Sequence, residues 1–244
     1  MIRKTGYLAV RILAALFMAV SIQLPASAEI TETDRAALNE MIRDYILANP
    51  EVVREALIEL GQREQRERTE MAMSILRNDA GDPVLGNPNG SFVIYEFSDY
   101  NCGYCKRVFQ PLQELVAGDD DIKLVVKEFP ILSQTSLLAA QAAVAAQAQG
   151  VFPEFHIAMM TARGAISMDS ILDAARSAGA DTTRLQADMN SPAVAAIIDR
   201  TRAAADALEI SGTPGLVIGS QVIPGAISIE QMREIVAAER AASS

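Results

Sequence analysis

The sequence predicts an α/β domain built as a strand–helix–strand unit, a helical insertion, a β-hairpin and a closing helix, preceded by a helical arm. Three observations predict it. Phe92 to Ser98 and Ile122 to Glu128 are runs of strand formers on either side of a helix-like stretch, Lys106 to Ala117. An Ala-rich helical region, Ser133 to Arg202, follows, broken at Gly150, Gly164, Gly179 and Pro192. Leu216 to Ile218 and Gln221 to Ile223 then flank Gly219-Ser220, a two-residue hairpin turn.

Each element has a local reason. A strand, helix, strand order this short predicts parallel pairing of the two strands. Pro130 closes the second strand, and the turn-rich segment GDPVLGNPNG, residues 81–90, separates the domain from what precedes it. Ser228 with Gln231 caps the last helix.

The arm, residues 29–80, reads as helical throughout. Thr31 with Asp34 makes a capping box, and Ala37, Leu38, Met41, Ile42, Tyr45 and Ile46 recur at helical spacing. Asn49-Pro50 opens a second helix as N-cap and first-turn proline. Its apolar side carries Val52, Val53, Ala56, Leu57 and Leu60, and it runs through a charged stretch to Met71, Met73, Ile75 and Leu76. The block has too few apolar residues per turn to form its own core. It is either a solvated arm or an oligomerisation stalk, and the uncovered apolar stripe favours the stalk and a homo-oligomer.

Composition narrows the function. A net charge of −10 argues against a nucleic-acid partner, because phosphate binding rests on Lys and Arg. Arg3 and Lys4 precede an apolar run, Ile12 to Leu24, and Ala26-Ser27-Ala28 supplies small residues for cleavage. That order predicts a cleavable signal peptide over residues 1–28 and export to the periplasm. The alternative is an uncleaved membrane anchor, against which Arg11 within the stretch argues. Cleavage removes three cations and no acid, leaving the mature chain more acidic still.

The chain has two cysteines, Cys102 and Cys105, two residues apart in the string YEFSDYNCGYCKR. The first lies where a strand gives way to a helix. A thiol there is exposed and faces the free N–H groups of the helix start, which favour the thiolate. The second lies one turn further in, close enough to form a disulfide and release a bound substrate. A structural disulfide is one competing reading, but so short a loop constrains the unfolded chain little. Half of a zinc site is another, and zinc wants four ligands where His156 is the only histidine. His156 itself reads as a packing or surface residue, and the methionines as scattered fillers. The placement favours redox chemistry without a dissociable cofactor or a metal.

From about Asp82 to its C-terminus the chain resembles the DsbA-type branch of the thioredoxin fold, whose helical insertion sits where Ser133 to Arg202 lies. The resemblance implies an insertion over about residues 131–207. It also implies a cis-proline loop at Thr213-Pro214 that presents the substrate backbone, and a proton-relaying carboxylate at Glu96, six residues before Cys102. Lys127 on the next strand is positioned in sequence to neutralise Glu96.

Gly103 and Tyr104 between the cysteines, with Thr before the proline, are similar to DsbC isomerases. The tyrosine replaces the histidine usual in DsbA-type oxidases, which makes the disulfide less oxidising. The arm, with the Asn-Pro-Glu-Val-Val start of its second helix, resembles the oligomerising arm of ScsC-like proteins, a subgroup with the DsbA fold, isomerase-like behaviour and a link to copper tolerance. The resemblance implies a protein-disulfide isomerase or reductase acting on secreted polypeptides, recycled by a membrane thiol reductase. A DsbA-type oxidase recycled by a quinone-linked oxidant, and a copper-binding envelope-protective protein, are the alternatives.

Overall fold

The computed structural model describes residues 31–242; the signal-like segment lies outside them. The chain divides into two compact units at Leu60–Gly61. The first holds α1 (Glu32–Ala48) and the opening turns of α2 (Pro50–Arg77). Thr31 caps α1 through the Asp34 capping box that the sequence predicts. Leu38, Met41, Tyr45, Val52, Leu57 and Leu60 are all exposed.

The second unit holds the rest. In chain order it contains β1 (Val84–Gly86), β2 (Phe92–Ser98), α3 (Gly103–Ala117) and β3 (Ile122–Glu128). The insertion follows as α4 (Gln134–Ala148), α5 (Phe152–Thr161), α6 (Met168–Ser177), α7 (Thr182–Met189) and α8 (Pro192–Ala207). The chain returns through β4 (Gly215–Ile218) and β5 (Gln221–Pro224) to α9 (Ile229–Ala242). The strand order is β1-β3-β2-β4-β5, with β2 and β3 parallel and the other pairs antiparallel.

Strand alternation sends the two faces of the sheet into two cores. Ile94, Leu124, Val126, Leu216 and Ile218 pack with α3 and the insertion. Tyr95, Phe97, Val125 and Val217 pack on the other face with Ala204, Ala205 and Leu208. Ala72 and Leu76, at the end of α2, are fully buried in this second core. The last turns of the helix assigned to the arm therefore pack with the domain.

β1 replaces part of the segment read as turns. Its three residues have little strand signal of their own, and it is the open edge of β3 that gives them partners, Val84 with Val125 and Leu85 with Leu124. At the hairpin, Gly219 has a φ of +60°, which an L side chain rarely adopts. Ser220 next to it donates to the Glu239 carboxylate, tying the turn to α9.

Candidate active site

The site is assembled where β2 ends. The Asp99 carboxylate accepts from the backbone N–H groups of Asn101 at 2.8 Å, Ile131 at 3.0 Å and Leu132 at 3.1 Å. It thereby joins the exits of β2 and β3. The Asn101 amide donates to Ser133 and Ser136, and Cys102 N–H donates to the Asp99 carbonyl. The residues leading into the cysteine pair are held on both sides.

Cys102 is the N-cap of α3, which starts three residues earlier than Lys106, directly behind it. Its sulfur accepts from Cys105 N–H at 3.3 Å and points its thiol at the Thr213 carbonyl, 3.2 Å away. The Thr213-Pro214 peptide is cis, as the resemblance implies. The sulfur is less open than the sequence suggests: Cys102 keeps 6% of its surface, because the Thr213-Pro214 loop covers it, while Cys105 keeps none. Access therefore separates the two thiols by degree. Burial, and then the Glu96 charge, pushes the Cys105 thiol far above the usual range.

Glu96 is buried, and burial raises its carboxyl from 4.5 to about 7, moderated by the Ser98 hydroxyl. Its Oε1 has no hydrogen-bond partner in the protein. Lys127 does not neutralise it. Register pairs Glu96 with Val126, so Lys127 falls on the opposite face, beside Tyr95. There its ammonium donates to Asp82 at 2.6 Å, and Arg200 donates to the same carboxylate oxygen at 3.0 Å. The correction follows from period-two alternation: adjacent residues of a strand cannot share a face.

Sequence reasoning missed two features. Register places Glu128 with Ser98, on the Glu96 face, and there it accepts from the Tyr100 hydroxyl at 3.1 Å. Tyr100 in turn lies 2.9 Å from His156 Nδ1. His156 is fully buried among Phe109, Phe152 and Tyr100, and burial depresses it to about 3. Strand parity from Glu96 signals Glu128; nothing local signals the partnership with His156. The other feature is Arg107, whose guanidinium lies 3.8 Å over the exposed Tyr104 ring. Both line a groove of about 490 Å³ with Val108, Thr213, Pro214 and Ile227.

Two thiols of unequal access, the inner one beside a carboxyl that titrates near 7, can exchange disulfides and move the accompanying proton. Among the described residues no group of three or more His, Cys, Asp or Glu could hold a metal ion. The fold and this site define a thioredoxin-like domain with the thiol–disulfide oxidoreductase fold. More specifically, the chain belongs to the DSBA-like thioredoxin domain family, which matches residues 93–237.

Residues 34–67 also match the copper resistance protein ScsC N-terminal domain. A thioredoxin-like oxidoreductase from Silicibacter pomeroyi is 41% identical, with a TM-score of 0.66, over 70% of this chain and 97% of that one. The catalytic domain of Proteus mirabilis ScsC is 28% identical, with a TM-score of 0.67, over 72% and 98%. A periplasmic thioredoxin-like protein from Salmonella enterica serovar Typhimurium is 27% identical, with a TM-score of 0.62, over 70% and 97%. Among curated relatives, the Na(+)/H(+) antiporter NhaA of Herminiimonas arsenicoxydans is 27% identical over 65% of this chain. The chain spans about a quarter of the length of the curated relatives it matches.

Proposed function

We propose that this protein is a periplasmic protein-disulfide isomerase or reductase whose redox pair is Cys102 and Cys105. The observation that carries the reading is the Cys102 sulfur, capping α3 and facing the Thr213 carbonyl beside Pro214. In the proposed reaction the Cys102 thiolate attacks one sulfur of a substrate disulfide. A mixed disulfide forms, and the other substrate sulfur leaves as a thiolate.

A second substrate thiolate attacking the mixed disulfide completes isomerisation and returns Cys102 reduced. Cys105 attacking Cys102 instead completes reduction: its proton passes to Glu96, its electron pair forms the Cys102–Cys105 bond, and the substrate departs as a thiolate. Thr213 and Pro214 hold the substrate strand, and Gly103 and Tyr104 set the potential of the pair. Isomerisation needs the reduced enzyme, so a membrane thiol reductase is the proposed partner, with secreted polypeptides as substrates.

Tyr104 between the cysteines supports isomerase over oxidase, because a phenol gives the thiolate no charge of its own. The signal-like N-terminus supports export, and similarity to the periplasmic thioredoxin-like protein of Salmonella supports the periplasm. The exposed apolar residues of α1 and early α2 support a homo-oligomer through the arm. The test is reactivation of a scrambled disulfide-bonded protein by the reduced enzyme. Reactivation that is lost in Cys102→Ala supports the reading, and oxidation of reduced substrate without reactivation overturns it in favour of an oxidase. The ScsC match favours one second reading, Cu(I) held by the two thiols. Stoichiometric Cu(I) uptake by the reduced protein, with no reactivation, would establish it.

A further inference from the structure

The face of the sheet that carries Glu96 holds a second buried acid, and the two are not equivalent. Glu96 and Glu128 belong to neighbouring parallel strands, one register step apart on one face. Both are almost completely buried, at 2% and 1% exposure. The charged and titratable groups around Glu128 are Glu96, Asp99 and Tyr100 from β2 and the turn after it, Asp82 ahead of β1, and His156 from α5. No cation faces it among these groups: Lys127 and Arg200 are committed to Asp82. Two buried carboxylates so placed cannot both be ionised without a large cost.

What distinguishes Glu128 is a hydrogen-bond chain that Glu96 lacks. Glu128 Oε1, the Tyr100 hydroxyl and His156 Nδ1 are linked at 3.1 and 2.9 Å, and the far nitrogen, Nε2, has no partner. A hydroxyl between a carboxyl and a neutral imidazole allows two arrangements. With Glu128 ionised, Tyr100 donates to it and the ring proton sits on Nδ1, donating to the Tyr100 oxygen. With Glu128 protonated, its hydroxyl donates to Tyr100, Tyr100 donates to Nδ1, and the ring proton sits on Nε2.

Resting on the redox reading above, we propose that Glu128 is the second proton-holding residue of the site. It shares a single negative charge with Glu96, and its own Tyr100–His156 chain reverses direction with its protonation. The chain gives each form of Glu128 a hydrogen-bond partner, while the Asp99 charge disfavours a second charge on Glu128, so the negative charge settles on Glu96, beside Cys105. That leaves Glu96 free to take the Cys105 proton when the thiol attacks. Glu128 acts through Glu96 and is a positioning residue. Burial, with the charges of Asp99 and Glu96, holds its carboxyl well above the usual carboxylate range, in keeping with that division. Burial keeps His156 neutral, so it answers by tautomer and not by charge.

His156 is the only histidine of the chain, which makes the chain directly readable. The experiment is nitrogen NMR of histidine-labelled full-length protein, titrated from pH 5 to 10. The expected result is a ring neutral throughout, with its proton moving from Nε2 to Nδ1 as pH rises. In Glu128→Gln the tautomer should not change with pH. Tyr100→Phe, which keeps the aromatic packing, should uncouple it in the same way should the first variant fail to fold. A His156 ring that charges between pH 6 and 7, a wild-type tautomer insensitive to pH, or a change that persists in both variants overturns the proposal.

A second measurement is the pH profile of the Cys105 attack on a Cys102–glutathione mixed disulfide. Wild type should show an alkaline limb of rising rate, as Glu128 ionises and its charge makes Glu96 a stronger base, and Glu128→Gln should lack that limb. An alkaline limb unchanged in the variant counts against the proposal. The tautomer readout does not depend on cysteine chemistry. Failure of the redox reading would show instead as absence of any Cys102 mixed disulfide with the tautomer switch intact.

Discussion

The Arg107 guanidinium lies 3.8 Å over the Tyr104 ring, at the lip of the groove that Thr213 and Pro214 line. The tyrosine between the cysteines thus carries no charge but holds one. Such a cation–π contact at an exposed site is worth about 0.5–1 kcal/mol, so Arg107 is steered rather than locked.

Two substitutions separate the ring from its cation. Tyr104→His places a donor beside Cys102 and should favour the thiolate, making the disulfide easier to reduce. If the reduced form gains about 1.4 kcal/mol, the potential rises by roughly 30 mV for this two-electron couple. Arg107→Ala should move it the opposite way, by less. Glutathione equilibria of the three proteins check both. An unchanged potential in Tyr104→His removes the reason for preferring isomerase over oxidase.

The unequal access of the two thiols predicts unequal trapping. Cys105→Ala should accumulate mixed disulfides with periplasmic polypeptides through Cys102, because the resolving attack is gone. Cys102→Ala should accumulate few, since Cys105 is fully covered and its thiol is held in the neutral form. Non-reducing electrophoresis with mass spectrometry reads the difference, and equal trapping would reverse the assignment of roles.

Glu96 makes stability depend on pH in a definite direction. Its folded carboxyl is raised from 4.5 to about 7, so the folded state binds a proton more tightly than the unfolded chain does. The stability this contributes is fully present below about pH 4.5 and is lost as pH rises through 7. The shift corresponds to about 3 kcal/mol, an order-of-magnitude figure for a fully buried group. Glu96→Gln should therefore gain stability over wild type between pH 4 and pH 8 in urea unfolding, while slowing the Cys105 step. A variant whose stability tracks wild type across that range would place the titration elsewhere.

Leu76 and Leu57 lie on one helix and should behave differently. Leu76 is fully buried in the second core, so Leu76→Ala should cost about 2–5 kcal/mol in domain stability. Leu57 is 63% exposed, and Leu57→Ala should change domain stability by no more than about 0.5 kcal/mol. If the arm is an oligomerisation stalk, Leu57→Ala should instead weaken association in sedimentation. Deletion through Leu60 should leave a folded monomer with its disulfide chemistry. A full-length chain that sediments as a monomer at micromolar concentration rules the stalk out.

Local signals made most of this protein legible. Strand-forming runs marked β2 and β3, Gly and Pro marked the breaks in the insertion, and polar caps marked α1 and α9, whereas the Asn49 amide donates back to Tyr45 at the end of α1. The cysteine spacing and its position after a strand gave the redox chemistry, because a helix N-terminus and a thiol one turn away are properties of neighbours in sequence. The resemblance to the DsbA branch points to Glu96, and nothing in the string states its burial.

Tertiary structure decided what depends on faces and on distant partners. β1 exists because the edge of β3 receives it, and Leu76 is core because a sheet face built from later strands shares its cluster. Lys127 and Glu128 are adjacent in sequence, yet register sends one to Asp82 and the other toward Tyr100 and His156. A one-residue step inverts which side of a strand a side chain takes. No local pattern states which side faces the thiols, so the charge logic of the site became readable only once the sheet was paired.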